Sequence, residues 1–314
     1  MTTNAAPGTA RPAPEGEFTH DPGSAPLLAA YDAQVRGFPQ RPPAGVRYEV
    51  DGPVTRTVGQ FRGLVTGPPD LGVTGAALDA LIARQRDFFA ARGEAVEWKT
   101  RGHDRPADLV DRLRAAGFTP EERETVLVAP TAAVAAAAAP PRGVLLRRVE
   151  AEADLRRIAA MESAVWGVDM GWLAEDLAGR LASAPENIAV LVAEAEDGPG
   201  GEGPGSGGAS GDGPSGEGGG GARGRLVSAA WLVFREGTEF ASLWGGSTLP
   251  AWRGRGVYRA LVAARAGLAA ARGVRYLQVD ASDDSAPILR RLGFHAVTTT
   301  TPYVWSPPGA VTAG

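Results

Sequence analysis

The 314-residue sequence contains no cysteine, which removes disulfide bonds, thiol nucleophiles and thiolate metal sites at once. It has only three histidines, His20, His103 and His295, far apart and without metal-ligand spacing, so no metal site is expected. Lysine is nearly missing too: Lys99 stands alone, and arginine carries the rest of the positive charge. With so much alanine and glycine, that bias reads as the coding habit of a GC-rich bacterial genome. No basic block tracks a phosphate backbone and the formal net charge is -4, so nucleic acid is not an expected partner. The longest apolar run, Thr131 to Pro140, is alanine-rich, short and ends in Pro-Pro, so no membrane span is expected. Met1 to Ala25 lacks a basic segment followed by an apolar run; no secretory signal is expected, and the cytoplasm is the expected compartment.

What is present is enough for a packed core: 44% of residues are hydrophobic, and the length suits two modest domains. Residues 1–25 read as a disordered tail, 307–314 as a tail and 129–142 as a linker. Gly198 to Gly224 is mostly glycine with Pro, Ser and a few acids. Such a stretch buries too little surface to offset its chain entropy, so a flexible surface loop is expected between two strands. The domains then span 26–128 and 143–306.

Residues 143–306 predict an α/β (α+β) order: strand 144–149, helices 153–165 and 171–184, and a strand pair around the glycine loop. A strand at 240–249, a helix at 257–272, a strand at 274–279, a short helix at 286–292 and a strand at 295–305 follow. Val257, Ala260, Leu261, Ala264, Leu268 and Ala271 form one helical stripe, closed by Gly273. The first half echoes this ending. A helix 77–92 closes at Gly93, Val96 to Lys99 is a strand, and Arg114-Ala-Ala-Gly-Phe118 mirrors Arg290-Arg-Leu-Gly-Phe294. The echo predicts a duplicated domain. Glu97, Lys99 and His103 read as a solvated polar cluster.

Between the strand ending near Leu249 and the helix starting at Val257 lies Pro250-Ala-Trp-Arg-Gly-Arg-Gly256. A glycine turn opening into a helix leaves main-chain N–H groups free, and the helix dipole adds to their pull on an anion such as a pyrophosphate. Arg253, Arg255 and Arg259 add charge. No Gly-Lys-Ser/Thr follows, so it is not a P-loop, and Arg259 stands where a dinucleotide fingerprint needs its third glycine.

The run Thr248 to Val262, followed by Ser282…Ser285-Ala-Pro-Ile-Leu-Arg-Arg-Leu-Gly-Phe294, resembles the GNAT acyltransferase superfamily, whose core pattern is Arg/Gln-x-x-Gly-x-Gly/Ala. The resemblance covers about residues 143–306. Residues 28–128 resemble only the back part of the same fold and lack the phosphate pattern. It implies a GNAT-like mixed central sheet flanked by helices, in a tandem arrangement with a degenerate first half. It implies acetyl-CoA as co-substrate and a small-molecule amine or protein N-terminus as acceptor. Carried over, Gly246, Ser247 and Thr248 line the pantetheine arm and thioester. Gly254, Gly256, Val257, Tyr258 and Arg259 hold the pyrophosphate with Arg253 and Arg255, and Ser282 contacts the cofactor. Tyr258 departs from the usual Gly or Ala. Leu289 stands where many members carry a tyrosine thought to protonate the departing thiolate. Asp280, at a strand end by the expected cleft, and Tyr303, on the last strand, are the catalytic candidates. A non-catalytic acyl-CoA-binding or sensing module is the alternative.

Overall fold

The computed structural model describes residues 20–37, 45–60, 62–134, 138–149, 151–195 and 224–308. The glycine-rich loop up to residue 223, residues 1–19 and residues 309–314 lie outside that set, as do the expectations made for them.

In chain order the elements are α1 (Ala25–Gln34), β1 (Arg47–Asp51), β2 (Val54–Val58), β3 (Gly63–Thr66), α2 (Gly75–Ala90), β4 (Val96–Arg101), α3 (Leu109–Ala115), β5 (Thr119–Pro120) and β6 (Glu124–Pro130). Then come α4 (Thr131–Val134), β7 (Val144–Arg148), α5 (Glu152–Trp166), α6 (Trp172–Ser183), β8 (Ile188–Ala195), β9 (Arg225–Phe234) and β10 (Phe240–Thr248). The chain ends with α7 (Val257–Ala271), β11 (Tyr276–Ala281), α8 (Ala286–Arg291) and β12 (His295–Trp305). All strands join one mixed sheet in the order β1-β2-β3-β4-β12-β6-β11-β10-β9-β8-β7, with β5 on the flank of β12.

The expected repeat is visible in local geometry. α2 and α7 each end in a left-handed glycine, Gly93 and Gly273, and the next N–H closes on a carbonyl five residues back: Glu94 to Phe89 and Val274 to Ala269. α3 and α8 end the same way, with Phe118 bonded to Leu113 and Phe294 to Leu289. In each half the strand before the long helix runs parallel to the strand after it, β3 with β4 and β10 with β11.

The last strands are exchanged. β6, which ends the first half, pairs with β11 of the second. β12, which ends the second half, pairs with β4 of the first. The two also pair with each other, so hydrogen bonds run unbroken across the junction.

Alternation along the strands sends side chains to opposite faces. Ala230 and Leu232 of β9 enter a core with α7, α8 and α4, whereas Ala229, with Trp231 and Val233 packed alongside, faces α5 and α6. α1 lies on the α5/α6 face, its Tyr31 and Val35 against Val126, Val297 and Phe240. α2 shows helical spacing in its buried set, Leu78, Leu81, Ile82, Gln85 and Phe89, and packs with Trp98 and Tyr303.

Two expected boundaries are corrected. The N-terminal tail does not run to residue 25, because Asp21 exchanges main-chain and carboxylate hydrogen bonds with Ala296 and ion-pairs with Arg290. The linker 129–142 is not empty either. β6 continues through Pro130, and α4 buries Thr131 and Val134 at once. Among the described residues no helix is long and apolar enough to cross a membrane.

Candidate functional site

β10 and β11 are paired only from Phe240↔Tyr276 to Ser242↔Gln278. Beyond that point β10 follows β9 as far as Thr248↔Ser228, and β11 follows β6 as far as Ala281↔Thr125. The sheet therefore splits into a V between the two strands. On the β10 edge of the split the register slips between Gly245 and Ser247, a bulge in which Gly245 and Gly246 both take positive φ. Arg265 of α7, almost fully buried, pins this edge. Its guanidinium donates to the carbonyls of Trp244 and Trp231 at 3.0 and 3.2 Å and to Leu261. Burial pulls its pKa down to about 10.

From the top of β10 the chain turns through Pro250–Trp252 into α7, with Gly254 at φ 72° and Gly256 at φ 89°. Trp252 and Arg253 donate to Leu249 and Pro250, and the next N–H taken is that of Ala260, by Gly256. None of the N–H groups from Gly254 to Arg259 donates to a described residue. A row of free donors at the N-terminus of a four-turn helix is an anion cradle. The charged residues around it differ in freedom. Arg253 folds back to donate to the Thr248 carbonyl at 3.1 Å, Arg255 lies 4.8 Å over the Trp252 ring, and Arg259 is exposed. Val257 is buried core. A cavity of about 570 Å³ opens alongside, lined by Arg259, Arg291, Ile288, Leu292, Gly293 and Ala133.

Tyr258 does not point back toward the turn. Its ring packs on Gly246, where a Cβ would fall 2.7 Å from Cε2. Burial pushes the phenol pKa up, and none of the described residues hydrogen-bonds its hydroxyl. Ser282 shapes the start of α8, its carbonyl accepting from Ser285 and Ala286 and its hydroxyl 3.2 Å from that of Ser285.

Of the two catalytic candidates, one lies away from the split and the other is engaged there. Tyr303 is buried in the core of the first half beside Trp98, its strand separated from β10 by β6 and β11. The exchange of last strands carried it there. Asp280 is at the split but is engaged: Lys99 Nζ lies 2.6 Å from Oδ2, and Gln278 donates to Oδ1 at 2.7 Å. Nor is the polar cluster of the first half solvated. Glu97 is buried against Arg62, and His103 bridges Asp32 and Thr298.

One group went unnoticed in the sequence. Glu162 of α5 is 2% exposed. Its Oε2 accepts from Trp166 Nε1 at 2.9 Å, and the same N–H approaches Ser247 Oγ at 3.2 Å. Oε1 has no partner among the described residues. Burial pushes this carboxyl above its ordinary pKa, the Ser247 and Trp166 bonds opposing it in part. The signal was there: Leu155, Ile158 and Glu162 share one helical stripe, so a carboxylate sat on an apolar face.

A carboxyl whose folded pKa exceeds its unfolded value favours folding below the unfolded value, about 4.3, and loses that contribution as pH rises through the folded value. Glu162→Gln is therefore expected to melt higher than wild type at pH 8, with the difference vanishing near pH 4. Calorimetric melts at both pH values check this; an equal offset at each would mean the charge is not the cause.

The start of α2 in the first half also leaves the N–H groups of Val73 to Ala77 untaken by described residues, Leu78 being the next to donate, to Thr74, but its turn differs in charge. Counting from Pro68 opposite Pro250 and Gly72 opposite Gly254, buried Leu71 takes the place of Arg253 and Thr74 that of Gly256. Asp70 puts a carboxylate into the turn, bonded to the N–H of Gly72 at 2.8 Å. Arg36 closes on the end of β3, donating to the carbonyls of Gly67 and Pro68 and to Asp104.

No family model matches the sequence, and no curated protein does. Solved structures do. A GCN5-related N-acetyltransferase from Kribbella flavida superposes with a TM-score of 0.60 at 16% identity, over 92% of this chain and 97% of that one. A second from Sphaerobacter thermophilus gives 0.54 at 17%, over 83% of each chain. A tandem GNAT protein from the clavulanic acid biosynthesis pathway gives 0.55 at 12%, over 89% of this chain and 93% of that one. The fold is that of the GNAT N-acetyltransferases.

Proposed function

We propose that the chain is an acyl-CoA-dependent N-acyltransferase, moving an acetyl group from acetyl-CoA to the primary amine of a small molecule or a protein N-terminus. The observation that carries this reading is the row of free N–H groups from Gly254 to Arg259, set at the top of the split between β10 and β11. Residues 143–306 are the catalytic unit and residues 26–128 a partner without cofactor, since Asp70 sets a negative charge in the turn before α2 and Arg36 occupies the end of β3.

In this reading the amides of Gly254 to Arg259 hold the pyrophosphate, and Arg255 and Arg259 screen its charge. Gly246, Ser247 and Thr248 line the pantetheine arm, because the bulge turns main-chain groups toward the split instead of a neighbouring strand. An N–H there stabilises the oxyanion that forms when an amine attacks the thioester carbon. Arg253 and Ser282 act through the shape they give the turn and α8, not by contact alone.

Wild type is expected to bind both acetyl-CoA and desulfo-CoA in the micromolar range, about 8 kcal/mol. Gly256→Glu places a Cβ at positive φ and a negative charge among the donors, and is expected to weaken both by at least about 100-fold, roughly 2.7 kcal/mol. Arg255→Glu adds the charge without the backbone strain and is expected to weaken both less. Calorimetric titration decides. No binding by wild type would remove the reading; binding without turnover of any amine would leave an acyl-CoA-binding module.

A further inference from the structure

The bulge of β10 is met by polar side chains from both faces of the sheet. Gly246 faces α7, where the Tyr258 ring lies against it. Ser247, the next residue, faces α5, where its hydroxyl meets Glu162 and Trp166. The two residues lie at the bulge, where positive φ at Gly245 and Gly246 breaks the regular alternation, and they look out on opposite sides.

Acyl transfer to an amine asks for two proton transfers at two places. A primary alkylammonium has a pKa near 10.4, so at neutral pH only a small fraction carries a free lone pair. The thiolate released when the C–S bond breaks needs a proton on the other side of the reacting carbon. Resting on the acyl-transfer reading, we propose that Glu162 removes the proton from the acceptor amine on the α5 face and that Tyr258 donates the proton to the departing sulfur on the α7 face.

The step balances as follows. The Glu162 carboxylate takes one proton from the ammonium, and the freed nitrogen forms a bond to the thioester carbon. The C–S bond breaks with its electron pair going to sulfur, and sulfur takes the Tyr258 proton. The second nitrogen proton leaves with collapse of the tetrahedral species, through Ser247 and water, and returns the phenolate to phenol. Glu162 gives its proton to solvent. The products are the amide, CoA as thiol and one proton.

Each group has a feature that packing alone leaves unexplained. Glu162 keeps Oε1 unpartnered in a buried place, a cost that a purely structural carboxylate avoids by pairing both oxygens. Tyr258 keeps a half-buried hydroxyl free of partners, and its raised pKa holds the proton on it across the neutral range. Leu289, by contrast, is fully buried on α8 and offers no proton. Trp166 donates to both Glu162 and Ser247 and fixes the base against the bulge, making it a positioning residue.

The test measures acetyl transfer from acetyl-CoA to n-butylamine and to the dipeptide amide Ala-Ala-NH2, from pH 6 to 10, alongside acetyl-CoA binding by calorimetry. Glu162→Gln is expected to bind acetyl-CoA as wild type does and to lose about 100-fold in kcat/KM at pH 7. Its deficit is expected to shrink toward the pKa of the amine, where no base is needed. Tyr258→Phe is expected to keep binding and lose about tenfold in kcat, since a thiol with pKa near 8.5 departs tolerably unaided. That deficit is expected to shrink with an acetyl thioester of a more acidic thiol. Folded variants with wild-type rates, or deficits that stay constant with pH and leaving group, would overturn the assignment. So would a wild type that binds acetyl-CoA yet acetylates neither probe. A wild type that binds no acetyl-CoA would instead overturn the acyl-transfer reading beneath it.

Discussion

Deleting residues 295–314 is expected to abolish cooperative folding in both halves of the chain, including the half that does not contain the deletion. β12 fills the slot between β4 and β6, so its loss leaves two inner strand edges bare and cuts the sheet in two. Three cores lose members at the same time: Ala296 beside α7 and α8, Val297 beneath α1, and Tyr303 between α2 and β4. Each large apolar side chain contributes about 1.5–3 kcal/mol, and each ladder hydrogen bond about 1 kcal/mol. Against a total stability of about 5–15 kcal/mol, that loss is decisive. A gentler probe is Tyr303→Ala, expected to cost about 3–5 kcal/mol in urea unfolding followed by circular dichroism. A truncated chain that still melts in one sharp transition would show that one half stands without the exchanged strand.

Asp280→Ala is expected to be the most destabilising single change at a polar residue near the split. Lys99 and Asp280 meet at 2.6 Å with side chains only 11% and 14% exposed, and the pair ties the first half to the second. Burial alone would depress the Lys99 ammonium, but Asp280, then Glu97 and Glu124, raise it further than burial lowers it. The net shift is upward, so the charge is present throughout the neutral range. Removing the carboxylate strands a buried cation, which costs about 3–5 kcal/mol, at the lower end here because the pair is not fully enclosed. Lys99→Met combined with Asp280→Leu is expected to recover most of the loss, as apolar replacements of buried pairs do. A urea double-mutant cycle separates the two. A loss below about 1 kcal/mol on Asp280→Ala alone would mean water screens the pair, and would return Asp280 to the list of free bases.

The parts of this fold that could be read from the chain are those encoded by neighbours in sequence. The stripe of α7, the glycine corners after α2 and α7, and the twin Gly-Phe endings all state local geometry directly. The turn from Pro250 to Gly256 did the same for the cradle, because free N–H groups follow from where a helix begins. Pairing was not legible. Nothing in Glu124–Pro130 or His295–Trp305 says that each lies beside the other half, since strand register is decided by distant partners. That is why Tyr303 was misplaced while its strand was correctly found. β1, β2 and β3 escaped notice because they are only four or five residues long and interleave Thr, Arg, Glu and Gly with few apolar residues. Glu162 was missed for another reason. A helical stripe is counted through its apolar members, and the one carboxylate among them breaks the count while marking the chemistry.

The exchange of last strands also sets a timetable. A chain is made from its N-terminus, and β4 is complete long before the strand that will lie beside it exists. When β6 is finished, neither of its eventual neighbours has been synthesised, for β11 and β12 come at the very end. The first half must therefore wait, with both strands open, through the making of everything from α4 to α8. No stage before β12 is made offers a finished half; the sheet closes only when that strand arrives, and it closes for both halves together.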